Sequence, residues 1–502
     1  MSLKRQITVR EIREERTRRS KTFPVKRRPH QLSAAHLSRS YKQLENPALK
    51  QKASLRITYV LPVYWPAIGG CELHTHELVK RLSEKHDINV ITLIDNQEDK
   101  LSHELWVACI LKAPSNSVEY RDNHARVTRL SLKPLEKLLN LPLARMQSPK
   151  LPDIAVRLMM ERLSNFYMKK LTDMLRGSDL VHCVHGGVAY FGYAAYKAAS
   201  KLGIPFIYTP LLHLYHENRR EDLKKSGNPV SYNPQLHLSP RGWTDDYWYQ
   251  LCFDADALIT MTDFEKDFFV RRGIPEKRVH KIGVGPLVFD NSTKDFRQEY
   301  NLEKEKIVLF LGRNVEYKGI EELLKAAAVV WGKIPDTHFF FAGPKEGDSE
   351  NIFRRYSDSR VHVLGLVSES EKAALLKACD VFCMPSMEES LGGTFLEAWM
   401  FEKPVIGANI PPLMELTENG QGGFLVNPVA GEIAEKICNL LEDTDLARRM
   451  GKWGKKRVSE NYTWEMITGK MEDIYMNLRN GSQPVGTYDR AMNKQVGAGK
   501  KI

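Results

Sequence analysis

The chain is poor in cysteine and has no apolar run long enough to cross a bilayer. Its seven cysteines, Cys71, Cys109, Cys183, Cys252, Cys379, Cys383 and Cys438, are odd in number and scattered over 502 residues, without the two paired short spacings of a zinc site. Neither a disulfide framework nor a structural metal is expected, and the thiols read as those of a reduced, cytoplasmic protein. No stretch reaches the roughly 18 to 20 apolar residues of a membrane span, and no apolar core follows the first charges as in a secretory signal. The expectation is a soluble or peripheral protein. Also missing are G-x-G-x-x-G and a Walker loop with its Lys and hydroxyl, which argues against a simple dehydrogenase or NTPase. His74 and His76, two apart on an expected helix, would point to different faces, and Asp254-Ala-Asp256 reads as a helix-to-strand connector, so no metal site is expected.

What is present is unevenly distributed. The formal charge of +12 resembles a nucleic-acid signature, but residues 1–56 carry sixteen Lys and Arg against four Asp and Glu, which is the whole excess. Residues 1–54 are polar, charged and nearly without periodic apolar positions, which predicts a disordered basic tail with at most a short helix near residues 8–19. The remainder has a globular composition and is long enough for two domains with separate cores.

At Arg56 the texture changes to "RITYVLPVYW", then a turn at "PAIGG", then the helical spacing of Leu73, Leu78 and Leu82. Short apolar strands alternating with helices recur to about residue 285, and at Lys306 the same order restarts with "KIVLFLGRNVEYKGIEELL". The reading is α/β, with two doubly wound parallel-sheet, Rossmann-like domains facing a central cleft. The first is placed at residues 55–290 and the second at 291–465, followed by a C-terminal helix over 466–480 and a disordered tail over 481–502. In such sheets ligands bind outside the carboxyl ends of the strands, and each Gly loop here follows such an end.

The densest motif is "PSMEESLGGTFLEAWMFEKPVIG", residues 385–407, in which seven residues separate Glu389 from Glu397. A small-residue loop before a helix can offer backbone N–H groups to an anion, helped by the helix dipole. The competing reading makes Thr394-Phe-Leu-Glu397 a capping box that merely closes the helix start. In "FLGRNVEYKGIEELL", Arg313 and Lys318 flank a second loop at a strand end, where two cations could converge on phosphates. Both loops would lie at one edge of one sheet. Gly69-Gly70 opens the first domain's helix and could let the opposite wall approach a phosphate. His213 and His216, just past a strand, are placed to face the cleft.

These segments, in this order, resemble the family-4 glycosyltransferases, retaining enzymes of the GT-B fold that use nucleotide-sugar donors. The resemblance covers about residues 57–475 and rests on the Gly-Gly loop, the basic phosphate loop and the E-x7-E signature. It implies that Glu397 accepts hydrogen bonds from the donor's ribose and that Glu389 faces hydroxyls of the transferred sugar. It further implies that backbone N–H groups of Leu391, Gly392 and Gly393, at the helix start with Thr394, hold the diphosphate. Arg313 and Lys318 would neutralise that diphosphate as the bond to the sugar breaks, without a divalent metal or any cofactor beyond the donor itself. Retention is thought in this family to proceed by same-face attack, so no nucleophile is named. His213 is the candidate for the family's cleft histidine. Where the family often has a second Gly-Gly before a Glu, this chain has "NIPPLMEL".

The expected acceptor is a hydroxyl of a sugar or lipid-linked glycan, in polysaccharide, lipopolysaccharide or glycolipid biosynthesis. Residues 131–147, "SLKPLEKLLNLPLARMQ", combine leucines with Lys133, Lys137 and Arg145, which suggests docking at an anionic inner membrane face together with the basic tail. The alternative is an ordinary domain helix with a snorkelling rim. Sugar phosphorylases, synthases and nucleotide-sugar epimerases on the same fold are the nearest rivals. A nucleic-acid-binding module using the Arg-rich tail is the rival from another class, and nucleic acid is not the expected partner.

Overall fold

The computed structural model describes residues 54–96, 105–145, 153–185, 188–212, 242–288 and 295–481. The basic tail expected over 1–54 lies outside them apart from Ser54, as do residues 482–502.

The first sheet has eight strands: β1 (Arg56–Val60), β2 (Asp87–Thr92), β3 (Val118–Asp122), β4 (Ala125–Arg129), β5 (Leu180–Val184), β6 (Phe206–Thr209), β7 (Ala257–Thr260) and β8 (Val279–Lys281). Their order is β3-β4-β2-β1-β5-β6-β7-β8, parallel throughout except for the β3–β4 hairpin. That hairpin turns at Asn123, whose φ of 53° is one that Asn tolerates better than most residues. It makes an antiparallel edge that the sequence pattern does not announce. The central strands are apolar on both faces because helices cover both: in β1, Ile57, Thr58, Tyr59 and Val60 are all fully buried.

The second sheet holds β9 (Lys306–Leu311), β10 (Thr337–Ala342), β11 (Val361–Gly365), β12 (Val381–Met384), β13 (Val405–Ala408) and β14 (Gly423–Val426). All its pairings are parallel, in the order β11-β10-β9-β12-β13-β14. The order reverses direction between β9 and β12. At such a reversal the helices that follow the two adjacent strands pack on opposite faces, and the binding crevice of such a sheet lies outside the strands' carboxyl ends.

The chain crosses between the sheets twice, once after β8 and once between the helices Thr444–Asn461 and Trp464–Gly481. The two crossings touch. A Cβ on Gly283 would lie 3.3 Å from the Tyr462 ring, one on Gly285 would lie 2.5 Å from the Trp464 ring, and Trp464 Nε1 donates to the Pro286 carbonyl at 2.9 Å. Helix Trp464–Gly481 then returns to the first sheet. Its Tyr475 hydroxyl is 2.6 Å from both Tyr59 Oη and His182 Nδ1, and His182 Nε2 is 2.8 Å from Thr209 Oγ1. Burial holds the His182 imidazole neutral by lowering its pKa to about 3. Every polar atom of that buried chain thereby has a partner, which is what burial of polar groups requires.

Candidate active site

The crevice between β9 and β12 receives both loops singled out by sequence. After β9 the chain runs through Arg313 into a 3-10 turn, Glu316–Lys318, and then Gly319, whose φ of +80° starts helix Ile320–Trp331. A Cβ on Gly319 would lie 2.6 Å from the Pro385 carbonyl oxygen, so glycine is required for the two loops to meet. They are joined by a backbone bond from Met387 N–H to the Tyr317 carbonyl, 2.9 Å.

That junction brings Lys318 Nζ to 2.6 Å from Glu389 Oε1 and 3.3 Å from the Glu388 carbonyl. Arg313 is bound to Glu346 at 2.9 Å and to the Tyr317 hydroxyl. Burial opposes the charge on Arg313, but Tyr317 and Glu346, with a smaller contribution from Glu72, offset this and hold its pKa above the ordinary value. Glu72 belongs to the first turn of helix Gly70–Leu82, so the electrostatic coupling reaches across from the Gly-Gly loop. Gly69 precedes that helix in an extended conformation without a side-chain cap, and a Cβ on Gly70 would meet nothing within 4 Å.

Helix Gly393–Met400 begins directly after Gly392, which caps it in the left-handed region at φ +93° with no side-chain cap bond. The capping-box reading of Thr394 and Glu397 is thereby overturned. The Thr394 hydroxyl lies 3.9 Å from Met384 Sδ, and Glu397 turns away from the helix start. The first N–H groups of a helix have few partners within it; here Phe395 N–H turns back to the Gly392 carbonyl at 3.0 Å. Glu397 is 4% exposed, accepts from Leu287 N–H at 3.3 Å and sits 3.5 Å from Lys372 Nζ. Burial pushes its carboxyl up, and the Lys372 ammonium draws it back. Sequence reasoning missed Lys372, whose amine also donates to the Leu287 carbonyl at 2.8 Å. Its local pattern shows only an i,i+3 pair with Glu369, 2.9 Å away, while the partners that place it in the site, Leu287 and Glu397, are distant in sequence.

Of the expected site residues, the structure therefore brings Arg313, Lys318, Glu389, Leu391, Gly392, Gly393, Thr394 and Glu397 to one sheet edge. His213 and His216 lie outside the described residues. In place of the second Gly-Gly, Pro411 and Pro412 start helix Pro411–Leu416, which carries Glu415 to the first sheet's side. Its Oε1 accepts from Asp263 N–H at 2.9 Å and from Lys281 Nζ at 2.7 Å, and its Oε2 accepts from Phe264 N–H at 3.0 Å. Among the described residues no group of three or more His, Cys, Asp and Glu is arranged to hold a metal ion, and no helix is long and apolar enough to cross a membrane.

Two largely parallel α/β sheets, each with a Gly-containing loop after a strand's carboxyl end, are the architecture of the GT-B enzymes, and the comparisons agree. Residues 69–285 match the glycosyl transferase 4-like domain and residues 292–457 match glycosyl transferases group 1. The chain belongs to this family-4 type of GT-B glycosyltransferase, which transfers a sugar from a nucleotide-sugar donor. It is 27% identical over 308 residues to an alpha-D-kanosaminyltransferase of Streptomyces kanamyceticus, covering 59% of this chain and 76% of that one. It is 27% identical over 246 residues to the Staphylococcus aureus capsular polysaccharide biosynthesis glycosyltransferase CapM, covering 46% and 64%. Among solved structures, Anabaena HepE in complex with UDP-glucose superposes with a TM-score of 0.60 at 18% identity, over 84% of this chain and 99% of that one.

Proposed function

We propose that the chain is a retaining, metal-independent glycosyltransferase whose donor diphosphate lies in the crevice between β9 and β12. The observation that carries this is the Lys318–Glu389 contact, which sets an ammonium beside a carboxylate at the sheet's switch point. Breaking the glycosyl–phosphate bond moves negative charge onto the leaving diphosphate and leaves oxocarbenium character on the sugar. Lys318 and Arg313 are fixed in advance where that charge develops, with the N–H groups of Leu391, Gly392, Gly393 and Thr394 beside them. Chain cations can thus do the work that a divalent ion does elsewhere. Glu389 then takes hydroxyls of the sugar and Glu397 those of the ribose. Gly69 and Gly70 form the facing wall, and His213, which follows β6 in the sequence, is the candidate cleft histidine.

The acceptor reading is a hydroxyl at a lipid surface. On helix Pro134–Arg145, Leu135, Leu138 and Leu139 are 65%, 68% and 64% exposed while Asn140 is turned inward at 6%. A soluble domain helix has the reverse arrangement. Lys133 adjoins this helix in sequence and Lys112 follows helix Leu105–Leu111, which packs against it; both are exposed and suit anionic headgroups.

The test of the donor site is the thermal shift of wild type and Glu397→Gln with UDP, GDP and ADP. A nucleotide at about 100 times its dissociation constant should stabilise the chain by about 2.7 kcal/mol. A shift with one base, smaller in Glu397→Gln, supports the site. No shift with any of the three removes its main support.

A further inference from the structure

Beside the donor site, two contacts converge on one buried acid. Ser390, between Glu389 and Leu391, places its Oγ 3.3 Å from the Leu212 carbonyl, just beyond β6 in the first sheet. Leu212 N–H donates to Glu265 Oε1 at 3.2 Å, and Met261 N–H donates to Glu265 Oε2 at 2.6 Å. The Ser390 hydroxyl also acts on this carboxyl, favouring its charged form. Glu265 is 1% exposed. Thr262 caps helix Asp263–Val270 through Glu265 N–H, the pattern of a capping box, yet the carboxylate is spent on Leu212, Met261 and Ser390 instead.

We propose that Glu265 is a positioning residue for sugar transfer: its carboxyl holds Leu212 and Ser390 together and so sets the spacing between the first sheet's wall and the loop that carries Glu389. This rests on the donor-site reading above. The chemistry depends on one hydrogen. A neutral Glu265 can donate to Ser390, which leaves the Ser390 hydrogen free for the Leu212 carbonyl. An ionised Glu265 only accepts, takes the Ser390 hydrogen for itself and leaves that carbonyl without its cross-sheet donor.

Burial pushes the Glu265 carboxyl up to about 8 against the bonds from Met261, Ser390 and Leu212, and Glu415 adds to the rise. The charged groups around it are Glu415 from helix Pro411–Leu416, Asp263 on its own helix, and Lys281 of β8, which binds both of those acids. On the donor loop the neighbour in sequence is Glu389, held by Lys318.

The probe is UDP-glucose, cleaved without acceptor: water attacks the anomeric carbon, the bond to the diphosphate breaks, and glucose, UDP and a proton result. Glu265→Ala and Ser390→Ala should each lower kcat about tenfold while KM moves by less than about twofold, as expected for lost positioning. Glu265→Gln, which keeps one donor and one acceptor, should recover most of that rate. It should also lack the wild type's fall in rate above the titration near pH 8. Hydrogen exchange provides a second readout independent of turnover: residues 206–212 should exchange faster in both alanine variants. An alkaline fall in Glu265→Gln equal to the wild type's overturns the proposal, as does unchanged exchange at 206–212 in Ser390→Ala. If UDP neither shifts the melting temperature nor is released from UDP-glucose, the donor reading fails with this nucleotide, and the exchange result alone decides the Glu265 bridge.

Discussion

Lys318 Nζ and Glu389 Oε1 lie 2.6 Å apart, with only 13% and 10% of the two side chains exposed. Arg313, at 45% exposed and paired with Glu346, is the wetter of the two cations. Removing Lys318 therefore strands a sheltered carboxylate as well as a phosphate partner. Lys318→Met should lower nucleotide-sugar turnover by about 100-fold or more, and Arg313→Met by about tenfold, in steady-state assays. Turnover of Lys318→Met within about threefold of wild type would remove Lys318 from the chemistry.

Two glycines separate structural from functional need. A Cβ on Gly392 would sit 2.9 Å from both Leu413 Cδ2 and Phe395 Cδ2, on a backbone at φ +93°. Gly392→Ala should cost about 1 to 3 kcal/mol of stability by denaturant titration. A Cβ on Gly70 meets nothing, so Gly70→Ala should melt at or above the wild-type temperature while KM for the nucleotide sugar rises. An unchanged KM would take Gly70 out of the donor wall.

Glu415→Ala removes three acceptor contacts that tie helix Pro411–Leu416 to Asp263, Phe264 and Lys281. Hydrogen bonds to a charged group are worth about 1.5 to 3 kcal/mol, so exchange at the start of helix Asp263–Val270 should accelerate by at least about tenfold. Exchange at wild-type rates would show that the lobes stay docked without it.

Glu265 also predicts how stability varies with pH. Its folded pKa, about 8, lies above the ordinary glutamate value of 4.5. Between these values the unfolded chain has lost the proton and the folded chain keeps it, so stability falls as pH rises through that window and then levels off. The wild-type melting temperature should drop over this range relative to Glu265→Gln, which does not titrate. Parallel melting curves would contradict the assignment of a neutral, buried acid.

The outward leucines give a prediction with a built-in control. Leu135→Ser, Leu138→Ser and Leu139→Ser combined should leave the melting temperature within about 1 °C, because these side chains bury little on folding. The same variant should lose flotation with phosphatidylglycerol vesicles if the helix docks there. Equal recovery of wild type and variant with vesicles, or of neither, would leave the leucine face unrelated to lipid.

The alternating texture and both Gly loops were legible in sequence because glycine, proline and apolar runs are local signals, and the strand ends fall where those runs stop. The start of helix Gly393–Met400 was misleading for the same reason. Thr394 and Glu397 satisfy a capping pattern, but Gly392 alone can take the left-handed turn out of β12, and this leaves Glu397 free to meet Leu287 and Lys372. Thr262 and Glu265 show the converse, a pattern whose hydroxyl behaves as expected while its carboxylate is taken by residues 53 and 125 positions away. Such pairings depend on how two sheets meet, which no window of sequence contains. The β3–β4 hairpin was missed because its strands are short and polar, with only Asn123 to mark the turn.

Gly283 and Gly285 lie beneath Tyr462 and Trp464, so the two passages between lobes run side by side. Two connections set far apart would act like two bolts and prevent rotation. Placed together they gather both covalent links into one seam along a single side of the lobes, like the spine of a book. Bulk at Gly285 would therefore press on Trp464 and shift the strip that carries Leu287 against Glu397.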